Sequence, residues 1–124
     1  MKKLKSNKEL IAYASSFVSF ILPKIEVNEI ILFGSVARGD FGNESDIDLF
    51  FNIKDKNKEK ELKEILEREL EKFYKSKIAE TFKLRAINNS IKFEIGILDE
   101  WKLKRSIISE GIILYGKYKE LPNN

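Results

Sequence analysis

Gly34-Ser35-Val36-Ala37-Arg38-Gly39-Asp40-Phe41-Gly42-Asn43-Glu44-Ser45-Asp46-Ile47-Asp48-Leu49-Phe50-Phe51 is the stretch whose reading decides the fold. An apolar run, Ile30-Ile31-Leu32-Phe33, leads into it and reads as a strand. The chain then turns at Gly-Ser, crosses a polar segment that holds three glycines counting Gly34, and re-enters apolar sequence as Asp-Ile-Asp-Leu-Phe-Phe. Adjacent strand residues point to opposite faces, so Asp46 and Asp48 share one. Two like charges side by side on a sheet repel, and a cation between them removes that cost.

Composition narrows what the cation can be. The chain has no cysteine and no histidine, which excludes thiolate and imidazole metal sites, Ser-His-Asp triads and imidazole bases. A metal here takes oxygen ligands, which favours Mg2+ or Mn2+. At 124 residues, 43% hydrophobic and 35% charged, the expectation is one soluble domain, residues 1–124, with a motif-bearing core at about 25–116. No apolar run approaches the roughly 20 residues of a membrane helix. The basic start, Met1 to Lys5, meets Asn7, Lys8 and Glu9 with no small-residue cleavage site, so a cytoplasmic rather than a secreted protein is expected. The net charge of +3 suits an anionic ligand but gives no case for nucleic acid.

Outward from the central stretch, residues 6–22 read as a helix, opened by the capping-box pattern Ser6-Asn7-Lys8-Glu9 and stopped by Pro23. Strands are expected at 28–33 and 46–53, with a short helix starting near Ser35. In the second strand Ile47, Leu49 and Phe51 face one way; Asp46, Asp48 and Phe50 face the other. The charged run Lys54 to Glu61 reads as a solvated loop entering a helix at 58–75, striped by Leu62, Ile65, Leu66, Leu70 and Phe73. Residues 79–87 and 90–98 read as a hairpin about Asn88-Asn89. A helix over 99–109 follows, with Leu103, Ile107 and Ile108 as core candidates and Gly111 as its stop, then an edge segment at 112–115 and a loose tail from Lys117. Strands interleaved with helices give an α/β (α+β) domain, a small mixed β-sheet packed with helices.

The candidate chemistry gathers on this frame. Backbone N–H groups at the Gly34-Ser35 turn can bind phosphate, the Ser35 hydroxyl can add a hydrogen bond, and Arg38 stands one turn further on. Asp46 and Asp48 supply an oxygen pair for a metal, and a third carboxylate on a neighbouring strand would complete a two-metal site. Glu94, an acid inside an otherwise apolar strand, is the best candidate, ahead of Asp99 at the strand end. Asp40 and Glu44 read as solvated loop acids, and Lys83, Arg85 and Lys92 as the solvent face of the hairpin.

Gly34-Ser35, ten residues, then Asp46-Ile47-Asp48 resembles the signature of the DNA polymerase beta-like nucleotidyltransferase superfamily. The form Gly-Ser-Val-Ala-Arg-Gly…Ser-Asp-Ile-Asp-Leu is most similar to its minimal nucleotidyltransferases, the MNT group. The closing Ser109-Glu110-Gly111-Ile112-Ile113-Leu114-Tyr115-Gly116 is also similar to the end of that domain, so the likeness spans roughly residues 25–116. The resemblance implies a polymerase beta-like nucleotidyltransferase fold and magnesium-dependent transfer of a nucleotidyl group from a nucleoside triphosphate, ATP above all. It implies that Asp46, Asp48 and Glu94 are the catalytic metal ligands and that Gly34, Ser35 and Arg38 hold the nucleotide. Members often pair with a helical HEPN protein, in some cases as an antitoxin that adenylylates its partner. The third carboxylate of the superfamily is usually aspartate; glutamate reaches further by about 1.5 Å, one covalent bond.

The expected function is therefore AMP transfer to a hydroxyl on a partner protein, since so short a chain has no room for an acceptor-binding domain. A homodimer is a further possibility. The alternatives are a small-molecule nucleotidyltransferase of the aminoglycoside-modifying kind and a non-catalytic nucleotide- or partner-binding subunit.

Overall fold

The computed structural model of the chain describes residues 7–116. Helix α1, Asn7–Ile21, opens it, buries Leu10, Tyr13, Ala14, Phe17, Val18 and Ile21, and ends at a 3-10 turn containing Pro23. Strand β1, Glu29–Phe33, runs directly into the single-turn helix α2, Gly34–Arg38. Strand β2 is Ile47–Asn52, helix α3 is Glu59–Tyr74 and helix α4 is Lys77–Lys83. Strand β3, Ile91–Gly96, helix α5, Lys104–Glu110, and strand β4, Ile112–Gly116, complete the order. The cap at Ser6 and the tail from Lys117 lie outside the described residues.

The sheet has the order β3-β2-β1-β4. β1 pairs antiparallel with β2 and β4, while β2 and β3 are parallel, so the sheet is mixed as expected. The two central strands alternate between two apolar environments. Ile30, Leu32, Ile47, Leu49 and Phe51 join α1, α3 and α4 in the large core, where Phe73 meets the rings of Tyr13, Phe17 and Phe20 at 5.3–5.6 Å. The opposite face carries a small cluster of Ile31, Phe50 and Ile107, flanked by Phe33, Leu98 and Trp101.

The hairpin expected over 79–98 does not form. Its first half is α4, capped by the Ser76 hydroxyl, which accepts from Ala79 N–H at 3.2 Å. Ala79 and Phe82 then fall on one helical face against the large core, with Phe82 5.1 Å from Tyr13. The sequence offered Ile, Thr and Phe as strand formers, and packing of one helical face overrode that preference. Parallel pairing of β2 and β3 needs a crossover, which α3 and α4 supply. The helix expected over 99–109 is also corrected. A 3-10 turn at Leu98–Glu100 and the connection after it shorten it to α5, so Ile107 is buried but Leu103 and Ile108 are exposed.

Candidate active site

The candidate site lies on the thinly covered face, where β1 ends and β2 begins. Asp48 is half-buried at the start of β2, directly opposite Phe33 on β1 and Lys92 on β3. Gly34 follows Phe33 with φ +80, a conformation that glycine adopts without strain. A Cβ built on Gly34 would lie 2.5 Å from Asp48 Oδ2, so the turn backbone lies flush against the carboxylate. Only glycine gives both the dihedral and the space. The motif's Gly-Ser and Asp-Ile-Asp, ten residues apart, thus meet in one notch.

The loop between them is tied down at several points. Gly39, with φ +88, closes α2 and donates to the Ser35 and Val36 carbonyls. Gly42 N–H donates to Ser45 Oγ at 2.8 Å. Asn89 is buried, and its amide donates to the carbonyls of Asn43 at 3.2 Å and Ser45 at 2.8 Å. Ile47 N–H donates to the Ser90 carbonyl at 2.8 Å. Asn89, read from sequence as a hairpin turn residue, instead clamps the segment that delivers Asp46. Nothing local in the sequence separates that clamp from a turn, because its partners lie more than forty residues away.

Electrostatics connect the acids. Burial raises the Asp48 pKa above the ordinary carboxylate value, and the charges of Asp46 and then Glu94 push it further; Arg38 and Lys92 oppose this. Asp46 is exposed ahead of β2, and Glu94 is exposed on β3 opposite Phe50, on the face that Asp48 uses. The structure therefore brings Asp46, Asp48 and Glu94 to one side of the sheet within each other's field. They form an open row: among the described residues, no group of three or more acids, histidines or cysteines stands together as a metal centre. No described residue donates a hydrogen bond to the Asp48 carboxylate or forms an ion pair with it. An all-carboxylate donor set with open lone pairs and mutual repulsion fits a hard divalent cation. Asp99 sits elsewhere, paired with Lys104 at 2.9 Å.

Ser35 is half-buried at the start of α2. With only five residues, α2 adds little dipole, so the donors this turn can offer an anion are its own N–H groups and the Ser35 hydroxyl. Arg38 is exposed, yet both ends of its guanidinium are engaged. Nε donates to Asp40 and Nη1 to Glu110, each at 3.2 Å, and these carboxylates raise its pKa further. Asp40, read as a solvated loop acid, and Glu110 are the partners that the sequence did not assign. Lys92, expected on a hairpin's solvent face, instead stands beside Asp48. One hollow of about 300 Å3, lined by Val27, Ile53, Lys58 and Leu62, lies away from this notch at the opposite end of β1 and β2.

The mixed sheet, the Gly-Ser turn and the acid pair together define an α/β domain in which a glycine turn and a carboxylate row meet. Comparison with known proteins makes this specific. Residues 11–114 match the nucleotidyltransferase domain family, and the chain belongs to that family of transferases. A solved structure from Sulfolobus solfataricus, described as a nucleotidyltransferase, superposes with a TM-score of 0.57 at 22% identity, covering 94% of this chain and 93% of that one. A toxin–antitoxin structure with AMP-PNP superposes with a TM-score of 0.51 at 18% identity, covering 83% of this chain and 73% of that one. At these identities the likeness is one of fold. No curated protein matches the sequence significantly.

Proposed function

We propose that the chain is a metal-dependent nucleotidyltransferase of the minimal type that transfers AMP from ATP to a hydroxyl on a partner protein. The observation that carries this reading is the contact between the Gly34 backbone and the Asp48 carboxylate. It supports the reading because turn N–H groups able to bind phosphate would then adjoin carboxylate oxygens able to bind a metal, as a triphosphate with its counter-ion requires.

Asp46 and Asp48, with Glu94, would hold Mg2+ or Mn2+. Bound there, the ion would neutralise triphosphate oxygens and lower the pKa of the acceptor hydroxyl. The turn N–H groups of Gly34 and Ser35 and the Ser35 hydroxyl hold the terminal phosphates. Arg38 offsets their charge from the α2 side, and Lys92 does so from β3. With the triphosphate so fixed, the acceptor oxygen attacks the α-phosphorus in line. The new O–P bond forms as the bond to the bridging oxygen breaks. Pyrophosphate leaves, and the hydroxyl proton passes to water or a carboxylate. No imidazole takes part, consistent with a chain that has none.

The toxin–antitoxin structure of the same fold holds AMP-PNP, an ATP analogue, and in keeping with it ATP is taken as the donor and a protein as the partner. A helical HEPN-type protein is the partner this reading favours. A second reading, a nucleotide- or partner-binding subunit without turnover, draws on the exposure of Glu94 and the open row of acids.

Incubation with ATP labelled at the α-phosphate, in the presence of Mg2+ and a co-purified partner, separates the two. Label in the partner, abolished by Asp48→Asn, is the expected result. Normal Mg-ATP binding without any transfer favours the subunit reading. Transfer that persists in Asp48→Asn rejects the metal assignment.

A further inference from the structure

The closing run Ser109–Gly116 carries family likeness but contributes no group to the phosphate and metal site. Two observations give it a task. The first is at Glu110, the last residue of α5: its Oε2 accepts from Arg38 Nη1 at 3.2 Å, across 72 residues of sequence. Asp40 Oδ2 accepts from Nε of the same guanidinium at 3.2 Å. Two carboxylates thus hold two edges of a planar group that has five N–H donors, and the remaining donors stay available.

The second is at Gly111. Its backbone is extended, with φ −72, so its conformation makes no demand for glycine. The demand is for space. A Cβ there would lie 2.2 Å from the Ile107 carbonyl oxygen and 2.6 Å from Ile31 Cγ2. Gly111 N–H also donates to the Ile107 carbonyl at 2.9 Å. The chain therefore leaves α5 flush against β1, with Ile107 buried beside Ile31, and the end of the helix is fixed on the sheet. Glu110 stands at that fixed end, whereas Asp40 belongs to the loop after α2.

We propose that Glu110 is a positioning residue for Arg38: seated by the close passage at Gly111, it holds the guanidinium toward the Gly34–Asp48 notch before a triphosphate arrives. The proposal rests on the reading of Arg38 as a triphosphate ligand. Arg38 ends the one-turn helix that Gly34 opens at the notch, which agrees with that orientation. An exposed ion pair adds little to stability, because water and side-chain entropy offset it. Its value lies in orientation: a long, flexible arginine set in advance loses less freedom on meeting phosphate.

Loss of Glu110 also removes a negative charge near the triphosphate, which by itself tightens binding. Glu110→Gln and Glu110→Ala both remove that charge, but only the glutamine keeps an acceptor for Arg38. Binding of Mg2+ with a non-hydrolysable ATP analogue, followed by calorimetry, therefore isolates positioning. Glu110→Ala is expected to bind about fivefold more weakly than Glu110→Gln, roughly 1 kcal/mol. In an Arg38→Ala background the two are expected to bind alike. An equal difference in both backgrounds, or none in either, overturns the proposal.

The Arg38 Nη1–H resonance, from the group that donates to Glu110, gives a readout that needs no nucleotide. It is expected to move to the free-arginine position in Glu110→Ala and to stay in Glu110→Gln. A resonance unmoved in Glu110→Ala overturns the positioning role even where Arg38→Ala weakens binding. Arg38→Ala with unchanged binding rejects Arg38 as a phosphate ligand instead, and the triphosphate part of the proposal falls with it.

Discussion

The two faces of the sheet are made by the same strands and serve opposite ends. On one, three helices bury Ile30, Leu32, Ile47, Leu49 and Phe51 under a layer rich in aromatic rings. On the other, the buried cluster is only Ile31, Phe50 and Ile107 among the described residues, with Trp101 packed on Phe50 at 5.3 Å, and Asp48 is half-buried. The difference follows from electrostatics. A carboxylate row cannot be roofed with apolar side chains without a large desolvation cost, so the face that carries it stays thin and the stability is gathered on the other. The chain is thereby divided into a face that holds the fold and a face that spends stability on a site.

Substitutions on each face should separate these roles. The largest expected effect is on the thick side. Phe73→Ala removes a fully buried ring that meets Tyr13, Phe17 and Phe20, and chemical denaturation should show a loss of about 3–5 kcal/mol. Nucleotide affinity of the folded fraction should be unchanged; a parallel loss of affinity would break the division between faces. Next is Gly34→Ala on the thin side. Its left-handed backbone costs about 1–2 kcal/mol in stability with any L side chain. The new Cβ must also displace the Asp48 carboxylate, so calorimetry should find nucleotide binding lost while the protein still folds.

A smaller effect tests the rim of the thick side. Glu69 is buried on α3, with Lys24 at 2.7 Å, Lys72 at 3.3 Å and Arg68 at 3.4 Å. Lys24 foremost, and Lys72 with it, lower its pKa from 4.5 to about 2 against the opposing effect of burial. A lowered carboxylate pKa adds stability above its unfolded value, and that stability is lost as pH falls. Thermal melts should therefore show a loss between about pH 4.5 and pH 2 that is missing in Glu69→Gln. An identical acid profile in the variant would remove Glu69 from the account.

The same contrast explains what could be read from the sequence. The notch was legible because Gly34, Ser35, Asp46 and Asp48 are local: a turn and a two-residue strand alternation specify them. The two apolar faces of β2 were legible for the same reason. What the sequence did not yield depends on contacts between distant residues. Nothing near Lys77–Lys83 announces that Ala79 and Phe82 will face Tyr13, so β propensity misled there. Asn89 was read as a turn because its clamp on Asn43 and Ser45 spans more than forty residues. Glu94 was singled out as an acid inside an otherwise apolar strand, but parallel pairing with β2, which sets it near Asp48, needed the fold. Glu110 gave no local hint of Arg38.

The central claim is that Asp48 is a functional acid which the metal-free fold tolerates at a cost. Thermal melting of wild type and Asp48→Asn, with and without Mg2+ and a non-hydrolysable ATP analogue, tests it most directly. The account predicts that Asp48→Asn alone melts higher, because burial and the charges of Asp46 and Glu94 no longer oppose it. It predicts that wild type gains about 2.7 kcal/mol at a ligand concentration a hundredfold above Kd, and that the variant gains nothing. A variant that melts lower than wild type and still responds fully to Mg2+ and nucleotide would contradict it.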